Sequence, residues 1–169
     1  MSKERIPSGL TKDAAIKTDT TKYLQKATVN LMTMDVLLAL KNNKEARNLL
    51  NIPPNYTPDD WIVVTGYYAM YLATTALLAK IGYKTKQHTA AINGLEHFFV
   101  KKKLLEQQYV DMLKSASLSH EEVHKLREAR DDRETAQYGV TKATTMELIA
   151  KTVKNAHDFV DKTVSILQS

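Results

Sequence analysis

Three groups of residues have types and spacings that could do chemistry. The first is His120-Glu121-Glu122-Val123-His124. Two histidines four apart share one helix face, so both imidazoles can grip a zinc ion while the glutamate activates water. A catalytic zinc needs a third protein ligand, and none is marked; Glu134, Glu147 and His157 are merely available. Ser119-His120-Glu121-Glu122 also reads as a capping box, which would put His120 in a solvated first turn. Two surface histidines in an acidic turn is therefore the preferred reading. The second group is Lys80, Lys84, Lys86 and His88 together with Lys101, Lys102 and Lys103. Such clusters neutralise phosphates, although lysines at a helix end also simply suit its dipole. The third is Arg127, Arg130 and Arg133, one every third residue, followed by Tyr138 and Gly139. Guanidinium forks bind phosphate and a phenol ring stacks on a base. With Glu128, Asp131, Asp132 and Glu134 between them, the same residues read first as a salt-bridged helix surface.

Composition bounds what can carry these residues. The chain has 169 residues, 43% of them apolar and 25% charged, which suits one globular domain. Five Gly and four Pro are too few for a turn-dense all-β fold. The absence of cysteine excludes a disulfide scaffold, thiol catalysis and thiolate metal sites. A net charge of +5 permits an anionic partner without demonstrating one. The first nineteen residues are polar and lack an apolar signal core, so a cytoplasmic location is the default. The longest uncharged stretch, Trp61 to Ala79, nearly matches a bilayer in length. Its threonines and tyrosines, preceded by Asp59 and Asp60, favour a buried bundle helix over a membrane span.

Helical periodicity recurs along the chain and strand alternation does not persist. Leu24, Ala27, Leu31, Met34 and Leu38 predict a helix from about Thr11 to Lys41, with a weaker start near Thr18 to Thr21. A short turn around Ala46 precedes Pro53-Pro54, which forces an extended loop. Thr57-Pro58-Asp59-Asp60 predicts a helix start capped by Thr57, with Pro58 in the first helical position. That helix ends near Ile81 at Gly82, and Gly66, Ala69, Ala73 and Ala76 form a seam for close approach of another helix. A third helix is predicted over Lys86 to Lys102. A fourth starts near Leu104, is interrupted at Ser115 to Ser119, restarts and breaks at Gly139. Thr144-Thr145-Met146-Glu147 caps a last helix running to about Leu167. The expected architecture is all-α, a four- to five-helix up-and-down bundle. Residues 1–22 are expected as a polar extension and 23–169 as the bundle domain.

Three stretches give the chain a resemblance to the HEPN (higher eukaryote and prokaryote nucleotide-binding) family. Tyr23-Leu24-Gln25-Lys26-Ala27 through Met34 to Leu40 is similar to the family's first helix. Gly66-Tyr67-Tyr68-Ala69-Met70-Tyr71-Leu72-Ala73, then Gly82 and His88, resembles its best-recognised helix and turn. Arg133-Glu134-Thr135-Ala136-Gln137-Tyr138-Gly139 resembles the Arg-x-x-Ala-Asp-Tyr-Gly ending of small stand-alone prokaryotic members, with Gln137 at the Asp position.

The resemblance implies a helical bundle forming a symmetric homodimer. Many members are metal-independent ribonucleases that act as toxins or in defence, using Arg, four to six spacers, then His. Here the first His after Arg127, Arg130 and Arg133 is His157, and Tyr138 falls at the His position counted from Arg133. An unperturbed phenol, with a pKa of about 10, is a poor general base at neutral pH. Other members pair with a minimal nucleotidyltransferase that modifies a Tyr near that motif. The favoured expectation is thus a module of the toxin–antitoxin or defence type that binds nucleotide, RNA or a nucleotidyltransferase partner, with no metal, cofactor or membrane. Its site would be Arg130, Arg133, Tyr138, Lys84, Lys86 and His88. The alternatives are a divergent ribonuclease using Arg130 or Arg133 with Tyr138 or His88, and a purely structural dimer.

Overall fold

A computed structural model describes residues 6–131 and 144–169, and of residues 126–131 the backbone alone. A two-residue strand, β1 (Thr11–Lys12), leads through a 3-10 turn (Ala14–Asp19) into α1 (Thr20–Asn42). Then follow α2 (Lys44–Leu49), α3 (Asp59–Lys80), β2 (Tyr83–Lys84), α4 (His88–Leu95), a π-helical turn (Glu96–Val100), α5 (Gln107–Asp131) and α6 (Met146–Gln168). The fold is an all-α bundle, as the periodicity predicts. Its only sheet among the described residues is the antiparallel pairing of Thr11 with Lys84 and Lys12 with Tyr83. The first long helix therefore takes the later of its two expected starts. Asp13 ends any earlier helix: its carboxylate accepts from the Ala15 N–H at 3.0 Å, and its own N–H donates to the Gly82 carbonyl at 2.8 Å.

α3 is the axis of the bundle and packs against α1, α4, α5 and α6. It is apolar on nearly every face, as a helix surrounded by others must be. By length and composition it could cross a membrane, but 72% of its most apolar window is buried inside the protein. The expected seam explains how the neighbours come close. A Cβ added at Gly66 would lie 2.5 Å from Thr152 Cγ2 of α6 and 3.0 Å from Met34 Sδ of α1. Ala69, Ala73 and Ala76 are fully buried behind it. Met34, Tyr67, Met70, Leu77, Leu95, Leu113 and Phe159 fill the core, each contributing roughly 2 kcal/mol of apolar burial.

Local chemistry shifts several predicted boundaries. Pro58, not Thr57, stands at the cap of α3, and no side chain caps it. The first turn is held from outside instead: Lys41 Nζ meets Asp59 Oδ1 at 2.6 Å, and the Thr144 hydroxyl donates to Asp60 Oδ1 at 2.7 Å. With Thr144 so engaged, the cap of α6 is Thr145, whose hydroxyl accepts from the Leu148 N–H at 3.1 Å. Gly82, at φ 82°, ends α3 as expected. The predicted third helix shortens to α4 and continues as the π turn. His97, Phe98 and Phe99 of that turn are all buried.

The largest departure is α5. It runs unbroken through Ser115 to Ser119, where an interruption and a new cap are predicted. Ser119 bonds back to the Ser115 carbonyl at 3.1 Å, so its hydroxyl is satisfied inside the helix rather than capping a new one. His120 consequently sits in mid-helix, not in a solvated first turn.

Candidate functional site

Tyr67, Tyr68 and Tyr71 project from the middle of α3, where they meet residues of α4 and α5. Residues four apart lie one above the other on a helix, and the Tyr67 and Tyr71 rings stack with centroids 6.2 Å apart. His88, the first residue of α4, lies 4.3 Å from Tyr71 at an interplanar angle of 14° and 5.6 Å from Tyr67. From α5, His120 stacks on Tyr67 at 4.6 Å and meets Tyr68 edge-on at 5.3 Å. His124, one turn further, is 6.4 Å from His120. The Tyr67 hydroxyl is hydrogen-bonded to His88 Nδ1, and the Ser117 hydroxyl of α5 works against the burial that raises the phenol's pKa. Six rings from three helices thus form one continuous cluster.

Burial sets its charge state. It pushes the Tyr67 phenol up to about 12, so the hydroxyl keeps its proton and donates to a neutral His88. Burial also lowers the pKa of His88, against the pull of Glu121. His120 is lowered by burial first, then by the charges His88 and His124 would carry. At neutral pH Tyr67, His88 and His120 are therefore uncharged, and the two imidazoles can accept protons.

Beside the cluster lies a cleft of about 300 Å³ lined by Gly9, Thr11, Ile16, Tyr23, Lys84, Thr85, Lys86 and Gln87. β1 forms one wall and the turn before α4 the other. The Lys84 ammonium is 2.7 Å from Asp13 Oδ2, and this ion pair holds the Asp13 carboxyl below its ordinary value. Lys86 is exposed on the rim. Gln87, the last lining residue, directly precedes His88. Gln87 thus links the cleft wall to the cluster through the chain, and cations and a phenol stand at the cleft walls.

The family model for the HEPN domain matches residues 37–167. The chain belongs to the HEPN domain family. No curated relative matches it. The matched region holds α3 to α6 and all six rings of the cluster, whereas Gly9, Thr11, Ile16 and Tyr23 precede it. In this HEPN domain the cleft therefore draws one wall from the matched region and the other from residues that precede it.

Of the residues singled out from the sequence, Lys84 and Lys86 line the cleft and His88 belongs to the ring cluster. Arg133 and Tyr138 lie outside the described residues, and at Arg130 only the helical backbone is described. Lys101, Lys102 and Lys103 lie beyond the π turn, at the far end of the α4 segment, where the Lys102 ammonium sits 5.7 Å from the Phe98 ring centroid. His157 pairs with Asp35 Oδ1 at 2.9 Å, between α6 and α1. The reading of His120 as a solvated surface histidine is corrected: it is half-buried against Tyr67, because α5 does not restart at Ser119. Among the described residues, no three His, Asp or Glu side chains are grouped to hold a metal ion. Sequence reasoning missed Tyr67, Tyr71, Ser117 and His120 as parts of one site. The available signal was two tyrosines four apart in an uncharged helix, a spacing that reads equally as core.

Proposed function

We propose that this HEPN domain binds single-stranded RNA or its nucleotides in the cleft between β1 and α4. The observation that carries this reading is that Tyr23, Lys84 and Lys86 line one cleft, whose wall residue Gln87 is followed directly by His88 of the stacked Tyr71–His88 pair. Lysines meet phosphate, and aromatic faces accept bases with little regard to sequence. α5 leads from the cluster into the Arg130–Arg133–Tyr138 segment, which the proposal keeps as a second contact region. Fluorescence anisotropy with a labelled oligouridylate at low salt tests it. Lys86→Ala should weaken binding several-fold and reduce the slope of log affinity against log salt by about 0.7, the value for one single-strand phosphate contact. Failure of the wild type to bind RNA at low salt overturns the reading.

The two neutral imidazoles beside the cleft favour a second reading, a divergent metal-independent ribonuclease. A neutral His88 could accept the ribose 2′-hydroxyl proton as that oxygen attacks phosphorus. RNA cleavage in the presence of a chelator, lost in His88→Gln, would establish it; intact RNA after long incubation would dismiss it. A homodimer, a nucleotidyltransferase partner and a toxin–antitoxin or defence role belong to the same proposal. Sedimentation and co-purification with a candidate partner test the first two, and growth on expression tests the third.

A further inference from the structure

We propose that the Tyr67–His88–His120 cluster is a one-proton site that couples ligand binding to proton uptake: His88 takes a proton when a phosphate-bearing ligand occupies the adjacent cleft, while His120 stays neutral. The inference rests on the cleft being the ligand site and adds how that site is regulated.

Geometry decides where the proton goes. His120 lies between two other imidazoles, His88 across Tyr67 and His124 one helical turn away. A charge there meets like charge on both sides whenever either neighbour is protonated. His88 has a single imidazole neighbour and lies nearly parallel to the Tyr71 ring at 4.3 Å. Stacked on that ring, an imidazolium gains a cation–π attraction. The groups bearing on the pair are Tyr67, Tyr68 and Tyr71 of α3, Ser117, Glu121 and His124 of α5, and Tyr23 of α1 through Tyr71. His120 has a comparable stack on Tyr67 at 4.6 Å, and Glu121 draws a proton toward both histidines, so the asymmetry comes from His124, which adjoins His120.

The hydrogen bonds can accommodate that proton without leaving an orphan. With His88 neutral, the Tyr67 O–H donates to Nδ1. With His88 protonated, Nδ1–H donates to the Tyr67 oxygen, and the Tyr67 O–H turns to the Ser117 oxygen. One proton enters from solvent and forms the Nδ1–H bond, the Tyr67–His88 hydrogen bond reverses, and no other covalent bond is made or broken. Because two interacting titrating groups release protons in separated steps, the second proton is held off while the first is bound. Phosphate beside Lys86 and Gln87 favours the imidazolium, and by reciprocity a protonated His88 favours the phosphate.

Isothermal titration of a six-nucleotide oligouridylate near pH 6.5, in buffers of different ionisation heat, reads the coupling. The expected result is net uptake of up to about one proton per ligand, absent in His88→Gln. His120→Phe removes the competing imidazole and should move the pH of maximal uptake upward. Binding without proton uptake, or uptake that survives His88→Gln, overturns the inference and leaves the binding proposal standing. No binding at any pH overturns both. A readout in the ligand-free wild type needs no variant: NMR titration of the ring protons should give two separated midpoints, the higher on His88. A higher midpoint on His120 overturns the assignment of the proton.

Discussion

Tyr67 serves several purposes from one position. Its ring is 1% exposed, packs into the core and stacks on His120 of α5, while its hydroxyl bonds His88 of α4. Tyr67→Phe should preserve the packing but leave His88 Nδ1 without its partner. A loss of about 1–2 kcal/mol is expected, read as a lower denaturation midpoint with an unchanged slope. The same site makes stability depend on pH. His88 and His120 have folded-state pKa values below the ordinary 6.5, so the unfolded chain binds protons first as the pH falls. Their contribution to stability is therefore complete above about pH 6.5 and is lost on acidification toward their folded-state values. Urea melts at pH 7.5 and pH 5 should show this loss. His120→Phe, which keeps a stacked ring but cannot titrate, should reduce it.

At the scale of elements, one helix imposes its terms on the rest. α3 admits α1 and α6 at Gly66 only because no side chain stands there. Gly66→Val would drive methyl groups into Thr152 and Met34, both buried, and should cost on the order of 1–3 kcal/mol. The measurement is the thermal midpoint, and an unchanged value would mean that the helices can part at no cost. α5 shows how tertiary context overrides a local motif. Ser119 followed by two glutamates has the form of a helix start, and its hydroxyl nevertheless bonds back within a continuous helix. What holds α5 through this region is packing: Val123 closes a small cluster with Val63 and Val64, and His120 stacks on Tyr67.

At the scale of the whole molecule, residues preceding the family match complete the site. Leu10 packs against α3 and α4: a Cβ at Gly94 would lie 2.9 Å from Leu10 Cδ1. Removing residues 1–12 should leave the helical circular dichroism nearly intact, cost roughly 1 kcal/mol from the half-buried Leu10, and open the cleft by deleting β1. Oligouridylate affinity should then fall by more than the stability loss explains, and equal affinity would remove β1 from the site. The net charge of +5 acts at this scale too: it draws any polyanion toward the molecule and adds salt dependence without selecting a sequence.

Much of this was legible in one dimension. The apolar steps of three and four, Gly82 as a stop and the small-residue seam of α3 determine an all-α bundle with a buried central helix, because helix periodicity and steric size are local properties. His88, Lys84 and Lys86 could be picked out because they are neighbours in sequence. The union of Tyr67, His88 and His120 could not, because 53 residues separate its ends and the local signal at Ser119 pointed the other way. Whether a histidine is solvated or stacked depends on which helix lies against it, and that is a long-range contact. The tertiary structure alone decided that two imidazoles share one phenol, and with that their charge.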